Sequence, residues 1–530
     1  MARAWLYRIA VLALLFWAGS HVGFSWEAIA QGLPAMGRLG MQLFPPDLDP
    51  AFLATLGKPV LETLLLSVSG MALAVVIGFP LAIAGTQTLW RGTSTAEEVP
   101  PPFGMLGYHA ARRLLDAFRA IPDLAWALLF VAVVGLGPVP GILACGIAYA
   151  GMLGKGWSEI FETVDPLPPG ALRGLGGGRL PTFVHAVLPS AWPAMVAYSF
   201  YAWECCMRAS ALMGFVGAGG IGYQIDLAMR MFEFRQASTL LITLLILVGL
   251  VDLASHAVRR WILALPRLDT FLTGGLVAAV AAGGWSVRED WHRLVSPDGA
   301  SRVARFLAES WPPQMDASSL GTLLPRLFET VAISVVATAL GATLGLVLCV
   351  PAMRPPVAES GSNGLLRGIQ SAAYHGSRGL LNWLRSIPEV LWALLFVVAV
   401  GLGPLAGSLA LGVHTGGVLG KLYAEALEET DFMPYEGLLG VGAPAIASLF
   451  HAVVPIAAPV LASYTLLRWE VNLRVATILG FVGGGGLGQE LWNQIQLGFY
   501  HRVMALTIVI FALVVLVDLA SARLRHAMAR

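Results

Sequence analysis

Charge is what this sequence has least of. Of its 530 residues, 12% are Asp, Glu, Lys or Arg while 57% are hydrophobic, and the mean hydropathy is +0.73. Soluble domains carry about 25% charged residues. A soluble chain of this length would fold into several domains, each needing a polar coat, and the charge to make those coats is missing. The composition therefore describes a polytopic membrane protein. A net charge of +1 leaves no basic surplus for a nucleic-acid partner.

Cysteine is scarce too. Cys145, Cys205, Cys206 and Cys349 all lie in apolar runs, no CxxC occurs, and the ten histidines form no ligand-spaced cluster. Neither a metal site nor a disulfide framework is expected. No nucleophile–base constellation stands out, so no catalytic residue is assigned and a membrane enzyme is disfavoured. The P-loop pattern G-x-x-x-x-G-K-[S/T] is also missing: Lys58, Lys155 and Lys421 each follow glycine, but Pro59, Gly156 and Leu422 come next.

What the chain has in abundance is repetition. "IPDLAWALLFVAVVGLGP" from 121 matches "IPEVLWALLFVVAVGLGP" from 387 at 13 of 18 positions. The same offset of 266 pairs Lys155 with Lys421, Asp165 with Asp431, His185 with His451, and "VDLAS" at 251–255 with 517–521. Upstream the offset is 267, so "ETLLLSV" at 62 faces "ETVAISV" at 329. Two modules follow, 1–265 and 266–530. Each reads as six apolar segments, near 5–20, 60–84, 120–136, 139–154, 192–213 and 237–258, then near 270–286, 328–351, 387–402, 405–420, 456–479 and 503–522. The predicted fold is an all-α membrane protein of about 12 transmembrane helices in two direct six-helix repeats. An even helix number gives both repeats one orientation. Lys and Arg concentrate in the first module's segments on the N-terminal side of the membrane, which places both termini in the cytoplasm. Residues 1–30 also resemble a signal peptide, with "AIA" at 28–30. An internal counterpart near 270–286 favours an uncleaved helix.

Glycine, with 60 residues, raises a sharper question. "GFVGAGGIG" at 214–222 returns as "GFVGGGGLG" at 480–488, and each copy contains G-x-G-x-x-G. A dinucleotide loop must follow a strand and open a helix inside a βαβ unit. These copies sit between membrane helices, which excludes that reading. Irregular backbone at membrane depth is tolerated where it is buried in protein or lines a cavity. Gly217, Gly219 and Gly220, with Gly483, Gly485 and Gly486, are thus either a paired constriction along a pathway or a structural turn. Just before each turn stand "YAWECCMR" and "LRWEVNLR". Glu204 with Arg208, and Glu470 with Arg474, have the i,i+4 order that favours a helical ion pair. Three uses stay open for them: fixing helix packing, lining the route of an anionic solute, or gating.

Between the fourth and fifth segments lies a longer loop, about 156–191 in one module and 422–457 in the other. Each opens with an acidic turn (Glu159, Glu162 and Asp165; Glu425, Glu428, Glu429 and Asp431), continues to Gly176 or Gly442, and ends in Leu188-Pro189 or Val454-Pro455. This glutamate–glycine–LP loop resembles the "EAA" coupling loop of ABC importer permeases. The run from "YTLLRWEVNLR" into "ATILGFVGGGGLG" resembles the phosphonate-type permease family in particular. The resemblance covers most of both modules and implies two permease modules fused, so that no second permease chain is needed. It implies an inner-membrane importer of phosphonate or a related phosphorus oxyanion, such as phosphite or a phosphate ester. It implies partners as well: an ABC ATPase dimer that binds ATP and magnesium on the cytoplasmic side, and an extracytoplasmic solute-binding protein. By position Glu159, Glu162 and Gly176 belong to one coupling helix and its turn, and Glu425, Glu428 and Gly442 to the other. The first loop departs from the pattern with "EIF" for "EAL", Gly170 for Glu436, and extra glycines and prolines. Disrupting the second loop (Gly442→Arg) is therefore expected to harm transport more than Gly176→Arg. The alternatives are an ABC permease for an amino acid or quaternary amine, and a proton-coupled carrier using Glu204 and Glu470, which has no use for two docking loops.

Overall fold

A computed structural model describes residues 2–91, 102–264, 296–354 and 364–528. Among them every regular element is helical. The helices used below are α1 (Ala2–Val22), α2 (Trp26–Leu43), α3 (Gly57–Ala84), α4 (Pro102–Ala120), α5 (Asp123–Val134), α6 (Pro138–Thr163), α7 (Leu167–Gly174), α8 (Leu188–Met213), α9 (Gly220–Arg230) and α10 (Phe234–Ala264). The second repeat continues with α11 (Pro297–Ser310), α12 (Ala317–Ala352), α13 (Gly364–Ser386), α14 (Glu389–Val400), α15 (Pro404–Glu428), α16 (Met433–Gly440), α17 (Val454–Leu479), α18 (Gly486–Gln496) and α19 (Tyr500–Met528). The twofold pattern of the sequence is thus repeated helix for helix from α3 to α10 and from α12 to α19. The expected segment near 270–286 lies outside the described residues.

Seven described helices are long and apolar enough to cross a membrane. Two further candidates are bent pairs, α4 with α5 at 87° and α13 with α14 at 89°. The bends fall at "IPD" (121–123) and "IPE" (387–389), where proline disfavours helical backbone at the residue before it. The segments predicted near 120–136 and 387–402 are therefore the second halves of broken elements. The preceding halves, α4 and α13, fall outside the predicted apolar segments and carry several charged residues, among them Arg112, Asp116, Arg119, Arg378 and Arg385.

Small residues govern how the helices meet. Along α6, Gly146 faces Leu73, while Gly151 and Gly154 face Leu115. Along α15, Gly416 faces Leu344, and Gly417 and Gly420 face Leu384 and Leu381. A methyl group added at Gly154 would lie 2.4 Å from Leu115 Cδ2. Close approach through small residues is what joins helices where no hydrophobic force separates protein from lipid.

The compact units do not divide at the repeat boundary of 265/266. One unit comprises residues 41–312, and the other residues 1–40 together with 313–530. Helix α1 packs against α12, burying Ala18 and Val22 among Ala332, Ile333 and Val336. Gly32 of α2 lies against the Ala399 carbonyl. Helix α11, the repeat counterpart of α2, packs instead on α5 in the other unit.

Candidate transport site: glycine turn, helix clamp and docking knob

The glycine turn is built the same way in both units. Gly217, Gly219 and Gly220 have φ of 93°, 82° and 73°, and Gly483, Gly485 and Gly486 have φ of 89°, 82° and 75°. This region is open to glycine and closed, without strain, to most other residues. The Gly137 N–H donates to the Gly217 carbonyl at 3.0 Å, and the Gly403 N–H to the Gly483 carbonyl at 2.8 Å. Each turn is so locked to the "GLGP" hairpin, whose leucine leans over it. A Cβ at Gly217 would lie 2.3 Å from Leu136 Cδ2, and one at Gly483 2.2 Å from Leu402 Cδ2. The repeated "ET" dipeptide supplies the other wall. Thr63 Oγ1 accepts from the Ile221 N–H at 2.9 Å, and Thr330 Oγ1 from the Leu487 N–H at 2.8 Å. Glu62 also accepts from the Gly220 N–H at 3.1 Å, whereas Glu329 is held by Arg326 at 2.8 Å. The sequence displayed this dipeptide only as a marker of the repeat.

The ion pairs expected within single helices are replaced by pairs between helices. Glu204 and Glu470 are each 7% exposed. Glu204 accepts from Arg259 Nη2 at 2.6 Å and from the Ser255 hydroxyl, both on α10. Glu470 accepts from Arg525 on α19, which also donates to Ser521 at 2.8 Å. Arg474 reaches Asp518 on α19 at 3.0 and 3.1 Å. The physical reason is reach. Arg259 and Arg525 come from helices packed against α8 and α17, and they neutralise the carboxylate while satisfying its lone pairs. The apolar runs of α10 and α19 end near these arginines, so both glutamates lie near the end of the membrane span, not at its centre. The missed signal was the rest of the repeated motif, "VDLASHAVR" (251–259) and "VDLASARLR" (517–525): Asp, Ser and Arg at one spacing in both copies.

The loop expected to couple forms a compact knob, and its parts need reassignment. Glu159 and Glu162 lie on the last turns of the long α6, and Glu425 and Glu428 on those of α15. They do not belong to the short helix that follows. Glu162 accepts from Arg112 at 2.7 Å and from the Gln87 N–H at 2.7 Å. Glu428 accepts from Arg378 at 2.7 Å and from the Arg354 N–H at 2.8 Å. These carboxylates tie the knob to the end of α3 or α12, while Glu425 sits 3.9 Å from Arg378. The short helices α7 and α16 then begin after Asp165 and Asp431, whose side chains accept from the Leu167 and Met433 N–H groups. Both end in the same cap. Gly176 N–H donates to Arg173 O and Gly177 N–H to Leu172 O; Gly442 N–H donates to Leu439 O and Ala443 N–H to Leu438 O. That double bond with glycine at positive φ (87° and 88°) is a Schellman motif. The caps leave apolar side chains in the open: Leu167 and Leu175 on one knob are 75% and 86% exposed, and Met433 and Val441 on the other 77% and 81%.

Knob and glycine turn are the two ends of one rod. Arg179–Val216 is a continuous helical run of 38 residues, about 57 Å long at 1.5 Å per residue. Leu449–Val482 repeats it. Each rod contains one π-helical turn, Phe183–Val187 and Leu449–Val453. Pro189 and Pro455 explain its position, because neither has an N–H for the carbonyl one α-turn back.

Among the described residues no group of His, Cys, Asp and Glu is arranged to hold a metal. The family model described as "Binding-protein-dependent transport system inner membrane component" matches twice, over residues 103–265 and 364–530. The chain belongs to that family and carries its domain in tandem; it is a multi-pass inner-membrane transport permease. It is 32% identical over 512 residues to the phosphate-import permease protein PhnE of Mycolicibacterium smegmatis, covering 95% of this chain and 91% of the relative. It is 38% identical over 232 residues to the phosphite transport system permease protein PtxC of Stutzerimonas stutzeri, covering 44% of this chain and 79% of that one. Among solved structures, the MetNI methionine ABC transporter in an inward-facing form aligns with 41% of this chain and all of its own, at 24% identity and a TM-score of 0.36.

Proposed function

We propose that this chain is the complete membrane channel of an ATP-driven importer for a phosphorus oxyanion, of the phosphonate, phosphite or phosphate class. The observation that carries this reading is the duplicated rod, which joins an exposed apolar knob to a glycine turn twice in one polypeptide. Two equivalent knobs suit a dimeric ATPase, which binds ATP and magnesium and docks through the surfaces around Leu167, Leu175, Met433 and Val441. Gly176 and Gly442 shape those surfaces, Glu162, Glu425 and Glu428 brace them, and Glu159 is the counterpart of Glu425 in the first knob. A solute-binding protein delivers cargo at the opposite face, near the glycine turns. Both termini are then cytoplasmic.

In this scheme the turns at Gly217, Gly219 and Gly220 and at Gly483, Gly485 and Gly486 form the gate. Glu204 and Glu470 clamp each rod to its neighbour so that movement at the knob reaches the gate without bending α8 or α17. Arg208 and Arg474 lie one turn nearer the gate. The names of the relatives support the cargo class.

The test is ATPase activity of the reconstituted complex of this chain, its ATPase and its binding protein. Phosphonates, phosphite, phosphate, methionine and betaine are added in turn. Stimulation by a phosphorus oxyanion is the expected result. Stimulation by methionine or betaine alone keeps the importer and overturns the cargo, and uptake driven by a proton gradient without any ATPase overturns both.

A further inference from the structure

The repeated "ET" dipeptide has one member that behaves alike in both halves and one that does not. Thr63 and Thr330 make the same bond to the helix after the glycine turn, at 2.9 and 2.8 Å. The glutamates beside them differ. Glu62 Oε2 accepts from the Gly220 N–H at 3.1 Å, and Lys58 Nζ stands 3.9 Å from its other oxygen. Glu329 Oε2 accepts from Arg326 Nη1 at 2.8 Å in place of the Gly486 N–H. Both carboxylates nevertheless lie over the same glycine of the turn. A Cβ at Gly219 would meet Glu62 Oε2 at 3.4 Å, and one at Gly485 would meet Glu329 Oε1 at 2.8 Å. Side-chain rotation is therefore enough to carry either carboxylate between the turn and the cation on its own helix, with the threonine as the fixed point.

The sequence explains why the two halves differ. The offset of 267 pairs Glu62 with Glu329, but Lys58 with Pro325 and Pro59 with Arg326. The cation thus precedes the carboxylate by four residues in one half and by three in the other, and both spacings put the two side chains on one helix face. Arginine offers a directed fork of N–H donors, whereas lysine is a hydrated point charge on a flexible stem. Arg326 accordingly captures its carboxylate, while the Lys58 side chain stays 85% exposed. The position of the pair gives it a use. The knobs are tied to the far ends of α3 and α12, and Glu62 lies roughly 33 Å before the end of α3 at 1.5 Å per residue. The carboxylates therefore stand on the side away from the motor.

We propose that Glu62 and Glu329 are latches on the glycine turns that set charge selectivity at the gate. Engaged, the carboxylate holds the turn by its amide and keeps a charge that its own helix only partly screens. Released, it is neutralised by the cation one turn before it. The two halves display the two positions of one device. An anionic solute is repelled by the engaged position and passes the released one. This use of the latch rests on the gate and cargo proposed above, and its two positions do not.

The test has two arms, both on the full chain in lipid nanodiscs. Amide exchange reads the latch without cargo or motor. Arg326→Gln frees Glu329, which should move to the turn and slow exchange at Gly486 about three- to tenfold, the worth of one hydrogen bond. Arg326→Lys should fall between that variant and wild type. Unchanged exchange at Gly486 in monodisperse Arg326→Gln protein overturns the switch. The second arm adds the ATPase and the binding protein and follows stimulation by phosphite and by phosphate. Arg326→Gln should raise the half-stimulating concentration about three- to tenfold at an unchanged maximal rate. Glu62→Gln, which keeps an acceptor for the Gly220 N–H but no charge, should lower it. No shift, shifts in one direction for both variants, or a fall in maximal rate alone overturns the selectivity role. If neither oxyanion stimulates wild type, the cargo reading and the selectivity role fall together, and the exchange arm still decides the switch.

Discussion

At Gly483 the backbone has φ of 89° and a Cβ would meet Leu402 at 2.2 Å. Gly437 sits in a short exposed helix with open space around it. Gly483→Ala should therefore lower unfolding stability by about 1–2 kcal/mol from backbone strain alone, and abolish uptake. Gly437→Ala should leave both unchanged or raise stability by up to about 1 kcal/mol. Thermal unfolding of the two variants in detergent checks this, and equal losses would show that the turn is not specially constrained. The buried glutamates give a second contrast. Glu470→Ala strands Arg525 and should destabilise by about 1–3 kcal/mol, and the Glu470→Ala/Arg525→Ala pair should be less harmful than the sum of its parts. Strict additivity in a double-mutant cycle would mean that the bridge contributes nothing. From sequence, both glutamates were recognisable as charges that needed a partner. The partner was not, because i,i+4 spacing is visible along a chain and packing between helices 55 residues apart is not. Only the repetition of Asp, Ser and Arg in both copies of the motif carried that information.

The knobs were legible as elements but misread in their parts. The acidic turn, the glycine and the Leu-Pro or Val-Pro ending mark where the loop begins, turns and re-enters a helix. Sequence gave no reason to separate Glu162 from the short helix, since nothing local announces that α6 continues to Thr163 and binds Arg112 of α4. Gly176 and Gly442 now occupy matching caps with matching φ and open surroundings, so arginine at either strains the backbone equally. Gly442→Arg is still expected to reduce transport more than Gly176→Arg, and matched thermal stabilities would locate the difference at the docked surface. Equal transport losses at equal expression would remove that asymmetry. A separate expectation concerns the braces: Arg378→Ala should loosen the second knob and raise amide exchange in α16 by tenfold or more, given about 1.5–3 kcal/mol for a charged hydrogen bond. Unchanged exchange would show that the knob stands without its brace.

Over the whole molecule, the repeat was the most legible feature and the compact units the least. Apolar periodicity places helices along the chain, but it does not say which unit a helix joins. Ala18 and Val22 are small apolar residues with no mark of destination, yet they lie in the core formed by α12 and α14. Deleting residues 2–22 should therefore expose amides of α12 and α14 to exchange while leaving α3 and α6 protected. Loss of protection in α3 and α6 alone would contradict the division into units.

That division has a consequence for biosynthesis. Helix α1 (Ala2–Val22) is made well before the surface that receives it, on α12 (Ala317–Ala352), which is translated roughly 300 residues later. At about 5–20 residues per second, that is a delay of some 15–60 s. Throughout it the opening helix rests in lipid without its partner while the 41–312 unit is completed around other contacts. The unit of residues 1–40 and 313–530 therefore closes only when its two distant segments meet, and a ribosome that stops before α12 leaves a product in which α1 lacks its packing surface.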